Sequence, residues 1–265
     1  MRSANRLLRR RPLLVATGLA LAHPGLQVAP TADAQMPPAS SRVLAFSRTT
    51  GFRHDSIPDA IAAIQPLGAQ NGLAVDATED PTVFTDPVLS GYRAVIFLLT
   101  TGHILDDGQQ AAFERFIASG NGFVGVHSAA DTEYDWSWYG GLMGAYFASH
   151  PDIQSATIHR EDTDHPSTRS LPDLWSRTDE WYNFQTNPRA DPDIHVLASL
   201  DESTYVGGTM GDHPIAWYHS YGAGRAWYTA GGHTSESYSE PLFLAHLLGG
   251  MEYAAGTAND TRTVD

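Results

Sequence analysis

The chain has 265 residues, of which 42% are hydrophobic and 10% aromatic, enough apolar material for a globular domain with a sizeable core. It contains no cysteine, and all 16 of its basic residues are arginine. That excludes disulfides, thiolate metal sites, thiol nucleophiles, lysine Schiff bases and the phosphate-gripping lysine of a P-loop.

The first 34 residues read as an export signal. Arg2, Arg6, Arg9, Arg10 and Arg11 precede an apolar run over 13–22, and Ala32-Asp33-Ala34 supplies a small-x-small cleavage site. Arg10-Arg11-Pro12-Leu13-Leu14 resembles a twin-arginine signal. The apolar run is too short to span a bilayer. A mature protein starting near Gln35 is therefore expected in the periplasm or outside the cell. It carries 11 Arg against 29 acids, a net charge near −18 with histidine neutral. Such a surface repels phosphate backbones and anionic lipid, so neither nucleic acid nor, after signal removal, a membrane is an expected partner.

Residues 35–41 read as a linker. Residues 42–47 (RVLAFS) come next as a buried strand that runs into a polar loop, and Asp55 or Ser56 caps a helix reaching 65–70 with Ile57, Ile61 and Ile64 on one face. Residues 73–76 form a short strand. The run 92–100 (YRAVIFLLT) is the continuous apolar type found buried in parallel sheets. Asp107 caps a helix carrying Phe113, Phe116 and Ile117, and Gly120-Asn121-Gly122 stops it. The stretch 122–131 (GFVGVHSAAD) reads as a strand entering a sharp Gly/Ala-rich turn, the form of a nucleophile elbow, with His127 at its apex. Alternating strands and helices predict a right-handed, parallel, doubly wound α/β sheet. Beyond 134 the texture changes. Segments at 153–159, 175–183, 194–199, 214–219 and 225–229 predict a mixed, more antiparallel later half on the same sheet. Residues 241–253 form a closing amphipathic helix, and the tail after Gly256 is polar.

In an open α/β sheet, ligands bind beyond the carboxyl ends of the strands. That selects the loops 48–54, 100–103, 127–131 and 231–236, in which histidine recurs, with Arg53 beside His54. Imidazoles gathered at one edge suit proton transfer near neutral pH or metal ligation. In the later half, Asp179-Glu180-Trp181-Tyr182 sets two carboxylates beside two aromatics, either a sugar-binding patch or an edge strand with solvated acids and core aromatics. Residues 161–165 (EDTDH) lack EF-hand spacing and read as a solvated acidic turn.

Seven separated motifs, FSRTTGFRHDSI (46–57), GVHSAAD (125–131), MGAYFASHP (143–151), DHP (164–166), DEWYNF (179–184), HPIAWYHSYGAGRAWYTAGGH (213–233) and LLGGMEYAAG (247–256), make residues 42–256 resemble the ThuA-like, trehalose-utilisation family. The resemblance implies a flavodoxin-like core related to the class I glutamine amidotransferases, and a carbohydrate context. It places His127 where those relatives carry their elbow cysteine, and His233, with Glu236 three residues on, at their late histidine and acid. Without a thiol, glutaminase chemistry through a thioester is excluded.

Two functions are then in view. One is an exported enzyme acting on a sugar or keto-glycoside. In it His127 and His233 act as acid and base or as ligands of one divalent metal, Glu180 joins them, and Arg53, His54, Asp131, Trp181 and Tyr182 grip a small carbohydrate. The other is a non-catalytic carbohydrate- or partner-binding module on an inherited fold. The converging imidazoles favour the enzyme.

Overall fold

The computed structural model describes residues 41–258. The expected export signal, nearly all of the linker and most of the tail lie outside the described residues. The first part of the domain runs β1 (Ser41–Phe46), α1 (Ile57–Gln70), β2 (Leu73–Thr78), α2 (Asp86–Leu89), β3 (Ala94–Leu98), α3 (Asp107–Ala118), β4 (Gly122–Val126) and α4 (Ser137–Met143). Seven more strands come after it: β5 (Phe147–Ser149), β6 (Gln154–Arg160), β7 (Leu174–Asp179), β8 (Asn183–Phe184), β9 (His195–Asp201), β10 (His213–Tyr221) and β11 (Gly224–Thr229). The chain of elements closes with α5 (Pro241–Ala255).

Nine strands make one sheet in the order β2-β1-β3-β4-β11-β10-β9-β6-β7. The first five are parallel, in the flavodoxin-like 2-1-3-4-5 order, and the remaining four continue antiparallel. β5 and β8 form a separate two-stranded ribbon. The expected doubly wound core with a more antiparallel later half is the observed architecture.

The local reasons are legible. All five residues of β3 and of β4 are buried, as strands covered by helices on both faces must be. β7 instead alternates exposed and buried residues, as an edge strand with one wet face does. α3 begins one residue earlier than Asp107 suggests: Asp106 is its cap, in a reciprocal capping box with Gln109, which satisfies two otherwise orphaned N–H groups. α5 ends at Gly256 in the left-handed region.

Past the carboxyl ends of the parallel strands the loops stay in register. Single bridges join Thr49 to Thr101 and Gly102 to Thr132, so the loops after β1, β3 and β4 lie side by side. Three non-glycine residues there hold positive φ: Leu99 at 56°, His127 at 52° and Glu133 at 56°. Such residues cost about 1–3 kcal/mol each and persist only where their surroundings demand them. No helix among the described residues is long and apolar enough to cross a membrane.

Candidate metal centre

His127 occupies the apex of a true elbow. β4 ends at Val126, and the chain turns at His127 into a short 3-10 segment, His127–Asp131. Gly125 sits close against its neighbours: an added Cβ would lie 2.8 Å from Met143 Cε and 3.0 Å from the Tyr228 ring and would have to displace them. The strained apex is fixed from several sides. The His127 Nδ1–H donates to the Ala230 carbonyl at 2.7 Å, the Tyr228 hydroxyl donates to the His127 carbonyl at 2.9 Å, and the Tyr182 ring packs on the imidazole at 4.2 Å. With Nδ1 holding its hydrogen on a carbonyl, the lone pair of neutral His127 is on Nε2.

Nε2 points at two partners. His233 Nδ1 lies 3.1 Å away and Glu180 Oε2 3.3 Å away, while His233 Nδ1 and Glu180 Oε2 are themselves 3.1 Å apart. The His54 ring completes the group, nearly perpendicular to both other imidazoles at centroid distances of 5.0 and 4.9 Å. One ligand atom from each of His54, His127, Glu180 and His233 falls within 4.8 Å of the others.

Four elements deliver these groups. His54 comes from the loop after β1, His127 from the turn after β4 and His233 from the loop after β11. Ser56 Oγ donates to the His233 carbonyl at 2.7 Å and ties two of these loops together. Glu180 arrives differently, from the residue after β7, four places from β11 in the sheet. The sheet must curl back to bring it, and Asp179 fastens the closure. Its fully buried carboxylate accepts from the N–H groups of Gly232 at 2.8 Å and His233 at 3.0 Å, and pairs with buried Arg177 at 2.7 Å. Gly232, at φ 111°, is the residue whose backbone freedom lets both amides face one acid.

The electrostatics arise from this crowding. Burial would raise the Glu180 carboxyl, but its contacts with His127 and His233 outweigh that and hold it well below the usual carboxylate range. Burial would lower His233, but the Glu180 carboxylate, with Asp179 behind it, raises it instead. His54 is pushed down to about 3 by burial and by the neighbouring charges of His127 and His233, so it is neutral at ordinary pH. Once a cation displaces the protons of His127 and His233, the imidazoles and the ionised carboxylate form the donor set that zinc, manganese and nickel accept. A tetrahedral cation with arms of about 2.0–2.1 Å spaces its ligand atoms about 3.3 Å apart. The three separations among His127, Glu180 and His233, 3.1–3.3 Å, match that spacing, and the His54 ligand atom lies within 4.8 Å of all three. The hydrogen bond from His127 Nδ1 to a carbonyl is the outer contact that ligating histidines characteristically make.

Among the residues singled out in the sequence, His54, His127, Glu180 and His233 come together. Asp131 stands half-buried at the rim, where burial raises its carboxyl while the Tyr134 hydroxyl, donating to it at 2.6 Å, lowers it. Tyr182 is buried and forms wall rather than grip, packed between His127 and Phe147.

Three expectations are corrected. Trp181 is fully buried and donates its indole N–H to the Gln154 carbonyl, so it has no face to offer a sugar. Arg53 turns outward to pair with Glu79 at 2.7 Å on an exposed surface. Glu236 is exposed on a 3-10 turn, and the acid beside His233 is Glu180. β7 stops at Asp179, so strand alternation does not govern residues 180–182, and both acids are buried. One residue of the site has no signature in the sequence. His150 sits in a His-Pro pair that by itself points nowhere, yet its Nδ1 lies 3.0 Å from Glu180 Oε1.

The ThuA family model, described as trehalose utilisation, matches residues 42–254. The chain belongs to this family. Membership implies a role in trehalose utilisation. A ThuA-like protein from Bacteroides uniformis superposes with a TM-score of 0.72 at 25% identity, over 85% of this chain and 95% of that one. A second, from Parabacteroides merdae, gives 0.68 at 17% identity over 86% and 94%. A β-galactosidase from Bacillus circulans sp. alkalophilus gives 0.54 at 15% identity over 82% of this chain and 31% of the enzyme, a likeness of fold. A search of the curated proteins finds no match to this chain.

Proposed function

We propose that this ThuA-family protein is an exported enzyme of carbohydrate catabolism, acting on a sugar or keto-glycoside through a divalent cation held by His54, His127, Glu180 and His233. The carrying observation is that four ligand atoms from four separate loops converge within 4.8 Å, with the His127 lone pair aimed inward by its bond to the Ala230 carbonyl. A bound cation would polarise a substrate carbonyl or hydroxyl and sharpen the acidity of the adjacent C–H or O–H bond.

The chain's own groups supply the rest. Tyr182 and Phe147 wall the site with apolar surface, which limits water at the imidazoles. Asp131 at the rim accepts hydroxyl hydrogen bonds, with Tyr134 fixing its orientation. Thiol chemistry is absent because the chain has no cysteine. Export is supported by the arginine-rich, apolar N-terminal segment and its Ala-x-Ala site.

A second reading draws on the same geometry. His127 and His233, 3.1 Å apart, would pass a proton directly, with no metal. Elemental analysis of protein purified without a chelating tag separates the two, run beside His127→Ala and with both assayed on glycosides and keto-glycosides. About one ion per chain in the wild type, lost together with activity in the mutant, is the expected result. Metal-free wild type that still turns over, with an inactive mutant, assigns the proton-transfer reading. An unimpaired mutant removes His127 from the chemistry.

A further inference from the structure

The small β5/β8 ribbon lies outside the main sheet, and its pairing has a consequence for Glu180. The two strands are antiparallel, with Phe147 opposite Phe184 and Ser149 opposite Asn183. In an antiparallel pair, the residue just past the end of one strand meets those just before the start of the other. The residue after β5 is His150, and the residues before β8 are Glu180, Trp181 and Tyr182. The ribbon therefore carries His150 to the back of the Glu180 carboxylate.

The two oxygens of that carboxylate face different surroundings. Oε2 looks inward, 3.3 Å from His127 Nε2 and 3.1 Å from His233 Nδ1, while Oε1 looks outward, 3.0 Å from His150 Nδ1. His150 Nδ1 also lies 2.9 Å from the Pro151 carbonyl. Both neighbours are acceptors, so Nδ1 carries its hydrogen; it donates to the Pro151 carbonyl and holds Oε1 within ion-pair reach of the same nitrogen. The ring itself lies against Phe147 and Tyr182, at centroid distances of 5.9 and 6.1 Å.

We infer that His150 is a positioning residue that makes Glu180 a one-oxygen ligand. A glutamate's terminal torsion is broad and nearly two-fold, so a carboxylate left alone rocks between offering one oxygen and offering both. The His150 ring nitrogen, 3.0 Å from Oε1, limits that freedom and leaves Oε2 aimed at the centre. A carboxylate that offered both oxygens would also fill one more place around the cation, a place a substrate oxygen needs. Outer partners of this kind orient metal ligands and hold their charge. His150 is 43% exposed, against 9% for Glu180, so it is the one member of the group that a variant can alter with little disturbance of the core.

This inference rests on the metal reading, and its test keeps the two apart. Mature full-length protein, stripped of metal, is titrated with Zn2+ and with Mn2+ against a chromophoric chelator, for wild type, His150→Ala and His150→Asn. The Asn amide nitrogen sits where Nδ1 sits and can donate to the same oxygen. The alanine variant should bind the ion about 10–100-fold more weakly at unchanged stoichiometry, the asparagine variant should recover most of the loss, and the metal-free melting temperatures of all three should agree. Wild-type and alanine proteins that bind the ion equally tightly overturn the role of His150 alone. So does an asparagine variant as weak as alanine. A wild type that binds neither ion overturns both readings.

Discussion

Three histidines of the parallel half reach the centre because β1, β4 and β11 all end at one edge of the sheet, and the loops leaving them must gather there. The antiparallel half reaches the same point only because its far strand, β7, is drawn back by Asp179 onto the loop after β11. The first route is topological and tolerates changes in individual residues. The second depends on one buried carboxylate and the donors that hold it. The protein thus combines an α/β edge, where ligands ordinarily bind, with a single acid imported from strands that have no such rule.

Breaking that import should do the most damage. Asp179→Ala leaves the buried Arg177 guanidinium with only Glu240 and Ser237 as hydrogen-bond partners and frees three backbone N–H groups, those of Glu180, Gly232 and His233. Breaking such a pair costs about 3–5 kcal/mol, and the surviving Glu240 contact places this case near the lower end, about 3 kcal/mol. Denaturant melts measure it, and a loss below about 1 kcal/mol would show that the antiparallel half closes without Asp179. Glu180→Gln tests the same half without disturbing its closure. Cation affinity should fall by more than the roughly 10–100-fold that an outer partner costs, while the metal-free melt stays near wild type. Chelator competition reads it, and unchanged affinity would assign the centre to the three histidines alone.

The parallel half has its own signature in pH. His246 of α5 is fully buried and donates Nδ1–H to the Ser167 carbonyl, with Thr229 of β11 on its other nitrogen. Burial pushes it down to about 3 from 6.5, against the opposing pull of the Ser167 bond. The unfolded chain takes up a proton below about 6.5 that the folded chain refuses until near 3. The stability it contributes is therefore complete above about pH 6.5 and is lost as pH falls, on the order of 2 kcal/mol by about pH 5. Unfolding free energies over about pH 4–8 should fall toward acid, and His246→Gln should flatten that slope; an unchanged slope would place the acid sensitivity elsewhere. Arg53→Ala should be the mildest change. Its pair with Glu79 is half exposed on both sides, so stability should change by no more than about 0.5 kcal/mol. Cation affinity should not change at all, and a shift in it would draw the loop after β1 further into the site.

How much of the site is legible in the chain depends on how far apart the cooperating residues lie. The elbow at His127 and the loops bearing His54 and His233 emerge from local patterns, an apolar strand and then a turn, combined with a rule about sheet edges. Glu180 is visible only as an acid beside aromatics, where two arrangements are equally open. Trp181 looks like a sugar platform because composition cannot tell an exposed indole from a core one. Glu236 looks like the partner of His233 because it is near in sequence, whereas the true partner is Glu180, far upstream. His150 gives no signal, since its meaning lies in a two-strand ribbon joining 147–149 to 183–184.

From the chain alone come the doubly wound core, the absence of thiol and lysine chemistry, the acidic surface and the gathering of imidazoles at one edge. These depend on periodicity, residue type and strand direction, which are local or additive properties. The folded arrangement selects which acid joins those imidazoles, which aromatic is buried, and which oxygen of Glu180 faces inward. Those choices hang on the curl of a nine-stranded sheet and on a few hydrogen bonds across it, and no single segment of the chain contains either.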